Sequence, residues 1–133
     1  MSFMLDTDHC IAILRGKLDV SQLVNRSTPL FTTAITVSEL VYGAHKSDRP
    51  DYHLTHVKLL LDGLTVLPFD TEAALRCGEL KDRLRRAGTP LFEPDLQIAS
   101  IALAHMLPLV THNQRHFTRI PDLKLVDWIS GIA

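Results

Sequence analysis

The sequence predicts an α/β domain built on a largely parallel sheet, and three observations carry that expectation. Short apolar runs alternate with longer segments of helical periodicity along all 133 residues, the pattern of strands joined by crossover helices. The composition, 46% hydrophobic and 22% charged, is that of a globular domain. A chain of this length buries roughly 68% of the surface its unfolded form exposes, enough for a core without metal or disulfide staples. No repeat, low-complexity tract or Ser/Gly linker interrupts it, so residues 1–133 are expected to form a single domain.

The elements follow in order. Phe3 to Leu5 is the first apolar run, and a helix is expected from about Asp8 to Arg15, with Asp8 as its cap. A short helical pattern at Ser21 to Asn25 precedes a second strand at Leu30 to Thr33. Thr36 to Lys46 then reads as a helix opened by a capping box, Thr36-Val37-Ser38-Glu39. Pro50 to Asp62 is a further helix, with Leu54, Val57, Leu60 and Leu61 on its apolar face. A third strand at Leu64 to Leu67 leads into a long helix from Thr71 to Ala87. Pro94 suits the first position of a helix running to His105. Leu109 to Thr111 and a weak run at Lys124 to Val126 complete a sheet of four to five strands.

The charges exclude one class of function. Fourteen Lys and Arg against 15 Asp and Glu give a formal net charge of -1, which is not the balance of a polycationic nucleic-acid binder. Two cysteines, Cys10 and Cys77, are too few for a disulfide framework and fall in amphipathic helices, so both are expected as reduced core residues. No basic leader or membrane-length apolar stretch is visible, and a cytoplasmic location is expected.

Ligands of parallel sheets bind beyond the carboxyl ends of the strands. There the sequence places Asp6 after the first strand, Glu39 in the helix after the second, Asp95 at the start of the helix before the fourth, and Thr111 with Asn113 after the fourth. Each has a structural alternative. Glu39 completes the capping box, Asp95 complements a helix dipole, and Asp8 caps a helix. Asp6 has the weakest alternative, because an acid after a buried strand is costly unless solvated, paired or metal-bound. Glu93 rivals Asp95 but precedes Pro94, which favours a cap or solvent. Together these oxygen donors suit a hard divalent cation, Mg²⁺ or Mn²⁺.

The stretches MLDTDHCIAIL, ITVSELVYGAHKSDRP and LKDRLRRAGTPLFEPDLQIASIALAHMLPLVTHNQRHFTRIPDLKLVDW resemble, in that order and over nearly the whole chain, the PIN-domain nucleases, and within them the VapC toxins of type II toxin–antitoxin systems. The resemblance implies a PIN-like sheet flanked by helices and a homodimer. It implies a cognate VapB-like antitoxin that blocks the site, and Mg²⁺- or Mn²⁺-dependent endoribonuclease activity on tRNA or rRNA that inhibits translation. Asp6, Glu39 and Asp95 match the metal-binding positions, and Thr111 and Asn113 match a Thr-x-Asp/Asn element. Hydrolysis by metal-activated water leaves 5′-phosphate and 3′-hydroxyl ends. Many relatives carry a fourth Asp where this chain has Asn113, so weak metal affinity is expected from three carboxylates. Phe92 stands where relatives place a small residue.

Basic residues for phosphate contacts are Arg76, Lys81, Arg83, Arg85 and Arg86 on one helix, and Arg115, His116 and Arg119 after Asn113. Arg115 and Arg86 are the preferred substrate contacts. With aromatics at only 6% of the chain, a base-stacking platform has little support. Two other readings remain open. His112 and His116, four apart, could catalyse metal-free transesterification or contribute to a zinc site. Alternatively, the chain is a catalytically weak PIN scaffold that binds RNA or protein, with Asn113 the sign of decay.

Overall fold

The computed structural model describes residues 1–130. Five strands, β1 (Phe3–Leu5), β2 (Leu30–Thr33), β3 (Thr65–Leu67), β4 (Leu109–Val110) and β5 (Leu125–Val126), form one sheet in the order β3-β2-β1-β4-β5. Every pairing is parallel, with Met4 opposite Phe31 on one side and Leu109 on the other. The chain winds outward from β1 through β2 to β3, then returns to the other side of β1 for β4. The direction of winding therefore reverses between β1 and β4, and the crevice left at such a reversal is where doubly wound sheets bind ligands.

The helices are α1 (Thr7–Leu14), α2 (Ala34–His45), α3 (Pro50–Asp62), α4 (Thr71–Arg86), α5 (Glu93–Ala104) and the short α6 (Gln114–Phe117). Alternation along the strands divides the core in two. Met4 and Leu109 face a cluster with Leu80, Leu84, Leu96, Ile98, Ile101 and Phe117, whereas their neighbours Leu5 and Val110 face Cys10, Leu40 and Val57. Each large aliphatic side chain buried this way contributes about 1.5–3 kcal/mol. Leu60 and Leu61 pack against the second cluster as expected, and both cysteines are free and buried.

Several boundaries differ from the sequence reading for local reasons. The helix expected at Ser21 to Asn25 is one 3-10 turn, Val20–Gln22. Asp19 accepts from Ser21 N and Asn25 from Ser27 N, and such local side-chain bonds replace the helical ladder. Helix α1 begins at Thr7 with Asp6 as its cap, so Asp8 lies in the first turn and is not the cap. In α2 the cap is Thr33, whose hydroxyl accepts from Thr36 N at 3.1 Å. The capping box is therefore absent, and Glu39 is not used to close the helix start. Helix α5 starts at Glu93, one residue before Pro94. Helix α4 ends in a Schellman motif: Gly88, at φ +74, lets Thr89 N reach Leu84 O at 2.9 Å and turns the chain back toward α5.

Candidate active site

Four chain segments meet at the β1/β4 crevice. Asp6, the residue after β1, is only 6% exposed, and its Oδ1 accepts from Thr7 N at 2.8 Å. Its Oδ2 accepts from the hydroxyl of Thr111, the residue after β4, also at 2.8 Å. Asp8 stands beside them, its Oδ2 accepting from His112 N at 2.9 Å and lying 3.3 Å from Thr111 Oγ1. Thr7 lines the opposite side: its hydroxyl donates to Glu39 Oε1 at 2.7 Å and lies 3.0 Å from Thr36 Oγ1. Asp95 occupies the first turn of α5, where His116 Nδ1 approaches it at 3.6 Å while sharing a 2.8 Å bond with the Asn113 amide.

The electrostatics are those of uncompensated acids. Burial, then the neighbouring charge of Asp8 and more weakly that of Asp95, pushes Asp6 up to about 7 against the opposing hydrogen bonds from Thr111 and Thr7. Asp95 is raised by burial and by Glu39 and Asp8, with His116 pulling the other way. Among the described residues no Lys or Arg forms an ion pair with any of these four carboxylates. The paired groups are imidazoles, His9 on Asp8 and His116 on Asp95. Like charges gathered without a cation raise one another's affinity for protons, and they raise affinity for a metal ion in the same way. The donors are oxygens throughout, which fits a hard divalent cation. Among the described residues, no three His, Cys, Asp or Glu side chains are already closed into a metal-holding group.

The other sequence-predicted residues are distributed as follows. Arg115 is exposed on α6 beside Asn113 and His116. Arg86 instead pairs with Asp82 at 3.0 Å and lines a groove with Arg76, Arg83 and Pro121, which contains none of the clustered carboxylates. Arg119 serves the chain rather than solvent: its Nη1 donates to Pro90 O at 2.9 Å, tying α6's trailing end to the loop before Asp95. Glu93 bonds Lys81 across α4 and α5 at 2.9 Å. Phe92 is the exposed residue preceding α5. His112 and His116 do not act as a pair, because His112 bonds Asp127 at 2.8 Å while His116 faces Asp95.

Sequence reasoning missed Thr7, His9 and Asp127. Thr7 sits between two residues it had singled out, but its partner Glu39 lies 32 positions away. His9 and Asp127 gave no local signal. A cavity of about 920 Å³ lies at the amino ends of the strands among Ser2, Met106, Pro108 and Lys124, and is remote from this chemistry. A groove of about 460 Å³ between α1, α2 and α3 carries Glu39 in its wall together with Leu14, Tyr52 and His56.

Comparison with known proteins agrees with this architecture. The PIN domain family matches residues 3–123. The tRNA(fMet)-specific endonuclease VapC of Salmonella typhimurium is 38% identical over 130 residues, covering 96% of this chain and 98% of that protein. Ribonuclease VapC2 of Haemophilus influenzae is 31% identical over 131 residues, covering 97% and 99%. Among solved structures, VapBC2 from Rickettsia felis bound to a DNA fragment from its promoter superposes with a TM-score of 0.89 at 30% identity, covering 96% of this chain and 99% of that one.

Proposed function

Because the chain belongs to the PIN-domain family, we propose that it is an endoribonuclease, the toxin of a VapBC-type toxin–antitoxin pair, and that Asp6, Glu39, Asp95, Thr111 and Asn113 form its active site. The observation that carries this reading is the group of acids at the β1/β4 crevice, with Asp6 buried, Asp8 and Asp95 half-buried and Glu39 at the exposed edge, unmatched by Lys or Arg. Burying carboxylates together without basic partners costs several kcal/mol, and a fold keeps such a cost where the charge is used.

Asp6, Glu39 and Asp95 are the residues to hold Mg²⁺ or Mn²⁺. When bound, the ion supplies Lewis acidity for hydrolytic attack on a phosphodiester and offsets the charge that develops there. The chain's own groups do the positioning. Thr111 fixes the rotamer of Asp6, and Thr7 aims Glu39. Asn113 orients the His116 ring toward Asp95, and Arg115, exposed at the rim, meets the phosphate backbone. The tRNA class is the first substrate to test, since the Salmonella relative is a tRNA(fMet)-specific endonuclease. The partner is a VapB-like antitoxin, as in the superposed VapBC complex. A homodimer and a cytoplasmic site of action complete the reading, and no described helix is long and apolar enough to cross a membrane.

The test is to sequence RNA ends after induction of the wild type beside Asp95→Ala. Growth arrest with new 5′-phosphate ends in the wild type alone is the expected result. Arrest by both without cleavage would identify a binding module, and cleavage that survives EDTA and leaves cyclic phosphate would point to the histidines.

A further inference from the structure

His9 is fully buried, and both ring nitrogens are engaged. Nε2 accepts the backbone N–H of Trp128 at 3.1 Å, so that nitrogen carries no hydrogen. The ring hydrogen of the neutral tautomer then sits on Nδ1, which donates to Asp8 Oδ1 at 2.8 Å. The other oxygen of Asp8 is held by His112 N, and the His112 ring is held by Asp127 Oδ2 at 2.8 Å. Asp127 is itself fixed by Ile129 N at 2.8 Å and Ser130 N at 3.2 Å. Burial works against its charge, but these N–H groups and His112 hold its carboxyl below the usual value. Asp8 is thus gripped from both sides by residues anchored to the segment after β5. The edge-on packing of the Trp128 ring against Phe3, with centroids 5.1 Å apart, seats that segment on β1.

We propose that His9 is a positioning residue: as an Nδ1–H donor anchored to Trp128, it holds Asp8 turned into the carboxylate cluster, where Asp8 supplies the fourth acidic group that Asn113 does not. This rests on the reading of the cluster as a divalent-cation site. The geometry explains why a fully buried imidazole lies one residue from the site with a carboxylate on one side and a backbone donor on the other. Outer partners that orient a metal-binding carboxylate typically change cation affinity by about 10–100-fold.

The test uses three variants of the full chain and Mn²⁺ as the probe, read by electron paramagnetic resonance of free Mn²⁺. His9→Asn places an amide N–H near the position of Nδ1 and keeps the bond to Asp8 while losing the one to Trp128. His9→Gln keeps an acceptor for Trp128 N and loses the donor to Asp8. Each gives up one buried bond, so circular dichroism melts should fall by similar amounts. The expected result is Mn²⁺ affinity near wild type for His9→Asn, and about tenfold weaker for both His9→Gln and Asp8→Asn. Equal affinities in His9→Asn and His9→Gln, or wild-type affinity in Asp8→Asn, would overturn the proposal. A wild-type chain that binds no Mn²⁺ would overturn the cation site as well, which separates the two failures.

Discussion

The Thr111 hydroxyl donates to Asp6 Oδ2 at 2.8 Å across 105 residues of sequence, and so joins the carboxyl ends of β1 and β4 where the winding reverses. Thr111 Oγ1 itself accepts Asn113 N–H at 3.0 Å, so the hydroxyl cannot turn away. Thr111→Val removes the donor at nearly constant volume and leaves a buried carboxylate short of a partner, a cost of about 1–3 kcal/mol. Urea unfolding at pH 8 should show that loss, RNA cleavage should fall with it, and Thr111→Ser should recover most of both. An unchanged unfolding midpoint for Thr111→Val would show that the bond contributes nothing.

Asp6 makes stability depend on pH in an unusual direction for an acid. Folding raises it from 3.8 to about 7, so between those values the folded chain keeps a proton that the unfolded chain has released. The contribution of this group is fully present below about pH 4 and is lost as pH rises through 7. In EDTA, Asp6→Asn should melt higher than wild type at pH 8, with the gap shrinking toward pH 4.5, and in Mg²⁺ the variant should not cleave RNA that the wild type cleaves. A gap that is constant or widens on acidification would contradict this.

Added Mn²⁺ should reverse that cost. A cation that binds only the folded chain stabilises it by mass action, so the melting temperature of the wild type should rise with Mn²⁺ concentration. Asp95→Ala should show little or no such rise. Equal shifts in both proteins would place the ion elsewhere.

Arg119 lies outside the carboxylate cluster, but its bonds to Thr89 O and Pro90 O fix the loop from which α5 and Asp95 emerge. Because the contact is exposed, Arg119→Ala should cost under about 1 kcal/mol of global stability. Hydrogen exchange should nevertheless accelerate at residues 87–92, and cleavage should slow. Unaltered exchange in that loop would assign Arg119 to solvent or substrate instead.

The thiols offer a control on the core. Burial pushes Cys10 up to about 12 and raises Cys77 as well, so neither holds appreciable thiolate at pH 8. Iodoacetamide should leave both unmodified in the native chain and label both in urea. Rapid native labelling of Cys10 would contradict the packing of α1 against β1.

Much of the fold was legible because its signals are local. Apolar runs bounded by polar residues marked all five strands, and Pro50 and Asp62 bounded α3 to the residue. The capping box at Thr36 was misread because the motif is only four residues long and Thr33, a better placed hydroxyl, offers the same chemistry one turn earlier. Helix α6 was not foreseen, since four residues carry too little periodicity to register. Of the basic groups, only position relative to the sheet could separate Arg115, beside the cluster, from Arg86, which faces a different groove.

By itself the sequence determined the order of strands and helices and the residue types at the strand ends, because alternation, caps and burial preference act over a few neighbouring positions. It also placed Asp6, Glu39, Asp95, Thr111 and Asn113 at one end of the sheet, since parallel strands put all their carboxyl ends together. What only the tertiary structure decided is which groups touch: Thr7 with Glu39, Thr111 with Asp6, and His9 between Asp8 and Trp128. Those contacts span 32, 105 and up to 119 residues. They depend on the register of β1 against β2 and β4 and on the seating of the last segment on β1, and a hydrogen bond has no reach along the sequence from which either could be read.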